Sequence, residues 1–347
     1  MKERIYYLDA LRIFAIFFVI LLHVAALNLD TEPVYSFNWN VFSIYDILAR
    51  FCVPVMVMIS GSLFLDPTRI ITIKSLYTKR IFRVVTAYLF WSVIYALYVL
   101  LENRQPMSAS VIITFAKNVL AGYTHMWFCY MIVGLYIITP FIRKIVENEI
   151  LLKYFLIISF VSTILIPSLQ LIPALSLSTV LTSKLNLFLG LGYSFYFVVG
   201  YYISKTDISK KIAGLIYALG IVSILFAILM TSYLSIRTNT PVRIFYEYLS
   251  INISLQSLAV FVFFKNNFAK IITNHSVLKI ITRISPLTFG MYLIHFLFIN
   301  AFTAIGLTPT SFNPIIAVPV ISVLTFVLSL LASALIEKIP VLKKYIM

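Results

Sequence analysis

Residues 8–28 read LDALRIFAIFFVILLHVAALN, and this stretch decides the fold. From residue 13 to 29 it is apolar apart from His23 and Asn28. A bilayer crossing needs about 17–25 such residues, because the hydrocarbon core is about 30 Å thick and a helix rises about 1.5 Å per residue. With Lys2 and Arg4 ahead of it, the run resembles a signal peptide. Arg12 and His23 interrupt it, however, and no small-residue cleavage site follows. The segment is read as a retained first membrane helix.

Nine more apolar segments follow, near residues 43–65, 82–101, 127–142, 151–170, 187–204, 212–234, 246–264, 287–306 and 314–336. Of the 347 residues, 61% are hydrophobic and 11% charged. A soluble domain carries roughly 25% charged residues, and one of this polarity would leave large apolar patches in water. Helices satisfy their own backbone groups in lipid, whereas a β-barrel would show alternating segments of about ten residues. None is visible. The expected fold class is all-α, a polytopic integral membrane bundle of about ten transmembrane helices.

The net charge of +15 would suggest nucleic acid in a soluble protein. Here it follows from orientation. Taken in alternate connections, Lys and Arg number 20 on the side of the termini and five on the other: Arg104, Lys117, Lys184, Arg237 and Arg243. The positive-inside rule then places both termini in the cytoplasm. The longest external connection, residues 102–126, holds Pro106 and an apolar stretch at 111–120 that suits an interfacial helix. Cys52 and Cys129 both fall in apolar runs, which argues against a disulfide framework. No repeat or linker divides the chain, so residues 1–347 are expected to form one domain.

Ionisable residues at membrane depth are costly and usually face a cavity or a partner. Arg12 and His23 are eleven residues apart on one helix, so they share a face within about 20° and stand about 16 Å apart along its axis. Asp9 precedes Arg12 by three residues and is placed to orient it. Arg12 alone would also fit a snorkelling residue that sets topology, and His23 alone a packing residue bonded to a neighbouring helix. Asp46 and Arg50, spaced i, i+4, suit a structural ion pair and a substrate contact equally. His295 suits a satisfied core histidine and a site-lining one equally. Lys79, Arg80 and Arg83 cluster at the cytoplasmic mouth of the third helix, where they anchor topology or grip phosphates. No Gly-rich phosphate loop, metal-spaced Cys/His set or G-x-S-x-G elbow is present.

Five stretches together resemble the membrane-bound acyltransferase 3 family of bacterial O-acyltransferases that modify surface polysaccharides. They are Leu8-Asp9-Ala10-Leu11-Arg12 with the run to His23; Arg50-Phe51-Cys52-Val53-Pro54 with Ile59-Ser60-Gly61; Lys79-Arg80-Ile81-Phe82-Arg83; His125-Met126-Trp127-Phe128 with Tyr130, Gly134, Tyr136 and Pro140; and Ser285-Pro286 with Gly290-Met291-Tyr292-Leu293-Ile294-His295. Met126 and Cys129 stand where leucines are expected. Some members carry an extracytoplasmic SGNH-type domain after the membrane part. None follows in this sequence, so the acceptor is expected to meet the membrane domain itself.

The resemblance implies a multi-pass protein of a bacterial cell membrane. It would take an acyl group, most often acetyl, from cytoplasmic acyl-CoA as co-substrate and pass it to a hydroxyl of a glycan or lipid-linked sugar. No bound cofactor, metal or nucleic acid is expected. Coenzyme A is a long anion with its phosphates far from its thioester, which suits cations at the inner mouth and a base deeper along one path. On this reading Arg12, Lys79, Arg80 and Arg83 hold phosphates and His23 is general base or acyl carrier. Ser60 and Gly61 allow close packing or line the donor path, while His125 and Trp127 meet the acceptor. The alternatives are a glycan or glycolipid exporter without acyl-transfer chemistry, and a structural or sensory subunit.

Overall fold

The computed structural model describes residues 4–103, 108–170, 192–272 and 274–346. Lys2, Arg104, Pro106 and Lys184 lie outside these residues, as do residues 187–191 of the sixth expected crossing. The helices in chain order are α1 (Tyr6–Ala26), α2 (Phe37–Ala49), α3 (Cys52–Phe64), α4 (Phe82–Asn103), α5 (Ala109–Ala121), α6 (Trp127–Val146) and α7 (Glu149–Phe160). After them come α8 (Ser194–Lys205), α9 (Lys210–Thr238), α10 (Ile251–Ile271), α11 (His275–Ile284), α12 (Thr288–Ala304), α13 (Pro314–Glu337) and α14 (Pro340–Ile346). Among the described residues there is no strand, and nine helical stretches are long and apolar enough to cross a membrane. The protein is a polytopic helical bundle. α8, with 12 described residues, stands where the sixth crossing was expected.

Several boundaries differ from the sequence reading for local reasons. The second crossing is two helices, α2 and α3, interrupted at Arg50 and Phe51. Pro54 has no N–H to give the Arg50 carbonyl four residues back, so the ladder breaks there. The third crossing is led in by a π-helical turn, Leu76–Ile81, that contains Lys79 and Arg80. Arg80 and Arg83 are therefore not on the regular α-helical spacing that their i, i+3 separation suggests. The ninth crossing begins earlier than expected, in α11, which a 3-10 turn at Ser285–Leu287 joins to α12. Lys279 and Arg283 made that segment read as loop, but it buries Ile281 against Ala10 and Phe268.

The external connection does contain a helix, α5. Ser108 caps its first turn, and Gly122 ends it with a positive φ of 74°. Tyr88, at 2.6 Å, and Tyr130 both donate to the Leu120 carbonyl, one of the acceptors that a helix end leaves without an internal partner.

α1 is the central helix. Leu11, Ala15, Ile16 and Ile20 are fully buried, and α1 packs against α2, α3, α10, α12 and α13. α9 is the opposite case. It turns Gly220, Ser223, Ala227 and Thr231 inward onto α10 and leaves Leu215, Leu225, Phe226 and Leu229 exposed. Small residues inside and large apolar ones outside is the pattern of a helix facing lipid, where close backbone approach replaces the hydrophobic effect.

The same logic reaches its limit where α3 crosses α8. A Cβ on Gly61 would stand 1.7 Å from the Phe197 carbonyl oxygen, and one on Gly200 would stand 2.3 Å from that of Met58. Ser62 ties the crossing by donating to the Gly200 carbonyl at 2.9 Å. Gly61 therefore packs two helices together. Gly61→Ala is expected to destabilise the detergent-solubilised protein by about 1–3 kcal/mol or more through overpacking. Gly134→Ala, where a Cβ meets nothing within 4 Å, is expected to leave the melting temperature unchanged or to raise it. Thermal melts of the two variants side by side check the pair.

Candidate active site

Arg12 lies low on α1, near the termini, and its position is built by neighbours. It donates to the Ser285 hydroxyl at 3.0 Å and reaches Asp9 Oδ1 only at 3.5 Å. Ser285 in turn donates to the same Asp9 oxygen at 2.6 Å. The other Asp9 oxygen pairs with Arg4 at 2.6 Å, and Arg4 also donates to the Thr282 carbonyl. Asp9 thus acts on Arg12 largely through Ser285, a partner that only the fold brings from 273 residues away.

Three cavities climb the inside of α1. The lowest, about 610 Å³, is lined by Arg12, Arg69, Arg80, Thr68 and Ile70, among others. The middle one, about 300 Å³, adds Ser60, Arg83, Tyr136 and Ser285. Both share Arg12, Leu63, Phe64 and Arg80. The uppermost is narrow, about 20 Å³, and holds His23, His125, Trp127 and Tyr248. Met56 and Phe128 line both this one and the middle one. Arg12 and His23 accordingly border neighbouring cavities that share wall residues, Arg12 the lower two and His23 the uppermost.

The sequence-derived candidates do not all meet here. Lys79 is exposed and lines none of these cavities. Gly61 faces α8, whereas Ser60 beside it lines the middle cavity and donates to the Met56 carbonyl. Arg80 lies over the Phe64 ring, 5.7 Å from its centre, and Phe64 stacks on Tyr136 at 4.4 Å. On the outer side Asp46, fully buried, pairs with Arg50 through two hydrogen bonds. Arg50 also stands over Tyr246 and Tyr248, at 5.0 and 5.3 Å. Trp127 packs with Tyr193 and with Tyr248. This places Arg50 one ring away from the upper cavity.

Three histidines cluster at the upper cavity. His23 Nδ1 lies 3.0 Å from His295 Nε2, and the two rings stack at 5.1 Å. His295 Nδ1 lies 2.6 Å from the Tyr292 carbonyl oxygen. A carbonyl only accepts, so His295 Nδ1 carries a proton, and in the neutral ring Nε2 holds a lone pair. His23 Nδ1 must then donate to it. The tautomer of His23 follows: its Nε2 has a lone pair, free of this contact. His125 is the third ring, buried in the turn Thr124–Met126, with centres 4.9 Å from His295 and 6.2 Å from His23. Neither of its nitrogens makes a well-formed hydrogen bond among the described residues, although the Leu293 carbonyl lies close enough to act on the ring, and Tyr292 holds its backbone carbonyl. His23 and His295 spend a nitrogen each on one another, so the three rings do not converge on a point. No group of three or more His, Cys, Asp or Glu among the described residues is arranged to hold a metal ion.

His23, hydrogen-bonded to His295, and the guanidiniums of Arg12, Arg69, Arg80 and Arg83 thus border three neighbouring cavities along α1. The family model for an acyltransferase domain matches residues 5–334. The chain belongs to the acyltransferase 3 family. It is a multi-pass membrane acyltransferase, which sets the exporter and sensory-subunit readings aside. Neither a curated protein nor a solved structure gives a significant match.

Sequence reasoning missed Ser285 as a ligand of Arg12, Arg69 as a cavity residue, and the partnership of His23 with His295. Ser285 and His295 each sat inside a motif, but no periodicity links residues 272 positions apart. His295→Asn or His295→Ala in this acyltransferase is expected to lower kcat by about 10²–10⁴-fold, the scale of a base left in the wrong tautomer. KM for the acyl donor should not move. A parallel loss of donor affinity would indicate a packing role instead; steady-state kinetics of the two variants decides.

Proposed function

We propose that this enzyme is an O-acyltransferase that moves an acetyl group from cytoplasmic acetyl-CoA to a hydroxyl of a cell-surface or lipid-linked glycan in a bacterial membrane. The observation that carries this reading is the set of neighbouring cavities from Arg12 and Arg80 at the lower end to His23 at the upper one. Four guanidiniums line its lower part: Arg12, Arg69, Arg80 and Arg83. The nearby carboxylates, Asp9 and Asp66, are engaged with Arg4 and Lys205. A polyanion is the ligand that such a chamber favours. The flexible arm of coenzyme A suits the climb of about 16 Å along α1. The narrowness of the space around His23, about 20 Å³, favours a short acyl group.

In this mechanism the acceptor hydroxyl gives its proton to His23 Nε2 as its oxygen attacks the thioester carbonyl carbon. The C–S bond breaks, and the leaving thiolate takes the proton back from Nε2. An ester and free coenzyme A result. As His23 becomes an imidazolium, its Nδ1–H strengthens the bond to His295, which shares the charge through its own bond to the Tyr292 carbonyl. Trp127, Tyr193 and Tyr248 offer ring faces to a sugar on the outer side, and His125 offers an unspent N–H or lone pair.

His23→Ala is expected to abolish acetyl transfer while leaving the protein folded and able to bind acetyl-CoA. Full transfer by a folded His23→Ala enzyme would refute the assignment. Incubation of wild type with labelled acetyl-CoA and no acceptor is expected to leave the protein unlabelled. Label recovered on His23 would make that residue a nucleophile instead of a base.

A further inference from the structure

Residues 65–72 connect α3 to the π-turn on the cytoplasmic side, and their backbone is held at many points. Arg143, from α6, donates to three carbonyls in turn: Phe64 at 2.7 Å, Asp66 at 3.1 Å and Arg69 at 2.8 Å. Asp66 is held by Thr68, whose backbone N–H and hydroxyl both donate to Oδ1, and by Lys205 at 3.1 Å on Oδ2. Burial disfavours the charged form of Asp66, yet hydrogen bonds from Thr68 and Lys205 outweigh it and hold the carboxyl below its usual range. A guanidinium that bonds the last carbonyl of α3 and two more within the connection holds that connection in one shape.

That shape presents Arg69 to the lowest cavity. Its guanidinium reaches Asp66 only at 3.9 Å, beyond hydrogen-bond distance, because Lys205 and Thr68 already occupy that carboxylate. Arg12 and Arg80 line the same cavity, so three guanidiniums surround a space of about 610 Å³ at the cytoplasmic end. Beside them stand Ile70, which is 93% exposed, and Ile71. An exposed isoleucine beside three cations is a poor face for water and a good one for a flat heterocycle carrying phosphate.

The geometry points to this outer cavity as a subsite for a nucleotide 3′-phosphomonoester, with Arg69 as its reader. The inference rests on the acyl-CoA reading above. Coenzyme A carries a diphosphate and, separately on its ribose, a 3′-phosphate dianion. The middle cavity, with Arg83 and Tyr136, lies nearer His23 and takes the diphosphate end of the arm. The outer one, with Arg69, is left for the 3′-phosphate and the base. The enzyme would then distinguish acyl-CoA from donors that lack that phosphate, such as acyl-4′-phosphopantetheine carriers or dephospho-CoA.

The test measures binding of acetyl-CoA and 3′-dephospho-acetyl-CoA to the full-length protein in lipid nanodiscs, for wild type, Arg69→Gln and Arg69→Lys. Wild type is expected to prefer acetyl-CoA roughly 10- to 100-fold, the scale of a charge-assisted contact. Arg69→Gln should remove that preference, weakening acetyl-CoA far more than the dephospho form, with a thermal melt as the control for folding. Arg69→Lys should restore part of it. Equal affinity of wild type for the two donors, or an equal loss for both in Arg69→Gln, overturns the subsite. If wild type binds neither donor, the acyl-CoA reading itself falls.

Discussion

Two imidazoles joined by a hydrogen bond, in the interior of a membrane bundle, form the contact on which the proposed chemistry of this protein rests. The ring of His23 is only a base if its outward nitrogen is unprotonated, and nothing on α1 settles which nitrogen that is. His295 settles it, because its own Nδ1 is committed to the Tyr292 carbonyl at 2.6 Å. The order of donors runs in one direction, from His23 to His295 to the backbone. A buried carboxylate could play the same orienting part, but it would place an uncompensated charge where desolvation is severe. A neutral ring bonded to a carbonyl orients His23 with no such charge in the resting state.

The rest of the site is arranged around where that pair sits. α12 must present Tyr292 and His295 to α1, and it is fixed from two sides: Tyr95 donates to the Leu293 carbonyl at 2.8 Å, and Tyr292 donates to the His125 carbonyl. These bonds tie α4, the turn Thr124–Met126 and α12 together behind the histidines. Below, the charge is organised with the same economy of partners. Arg4 and Ser285 occupy Asp9, and Lys205 and Thr68 occupy Asp66. The acids are held by groups at the edge of the channel, and the guanidiniums of Arg12, Arg69 and Arg80 face the space inside. Arg143 belongs to the support of this arrangement. Counted by position it is one more positive-inside residue, yet its guanidinium shapes the 65–72 connection.

How much of this was legible from sequence can be judged residue by residue. The shared face of Arg12 and His23 follows from helical geometry alone, as does the Asp46–Arg50 pair, since Arg50 caps α2 with its backbone still helical. Arg80 and Arg83 were recognisable as a basic cluster, but not the π-turn that changes their register. Gly61 was ambiguous between packing and the donor path, and only the Phe197 carbonyl against its Cα resolves it. The start of α11 was hidden because Lys279 and Arg283 interrupt the hydropathy of an amphipathic helix. Arg69 carried no signal beyond its charge.

What the sequence determined by itself is the class of object: a helical membrane bundle, and the cations and imidazoles that stand inside it. Those properties depend on the free energy of single residues in lipid and on neighbours three or four positions apart, both of which are local. Only the tertiary structure decided that His295 meets His23, that Ser285 meets Arg12, and that Arg143 shapes the connection carrying Arg69. A hydrogen bond has a range of about 3 Å. Pairs so far apart in the chain come within it through the way whole helices cross, and no local pattern encodes that.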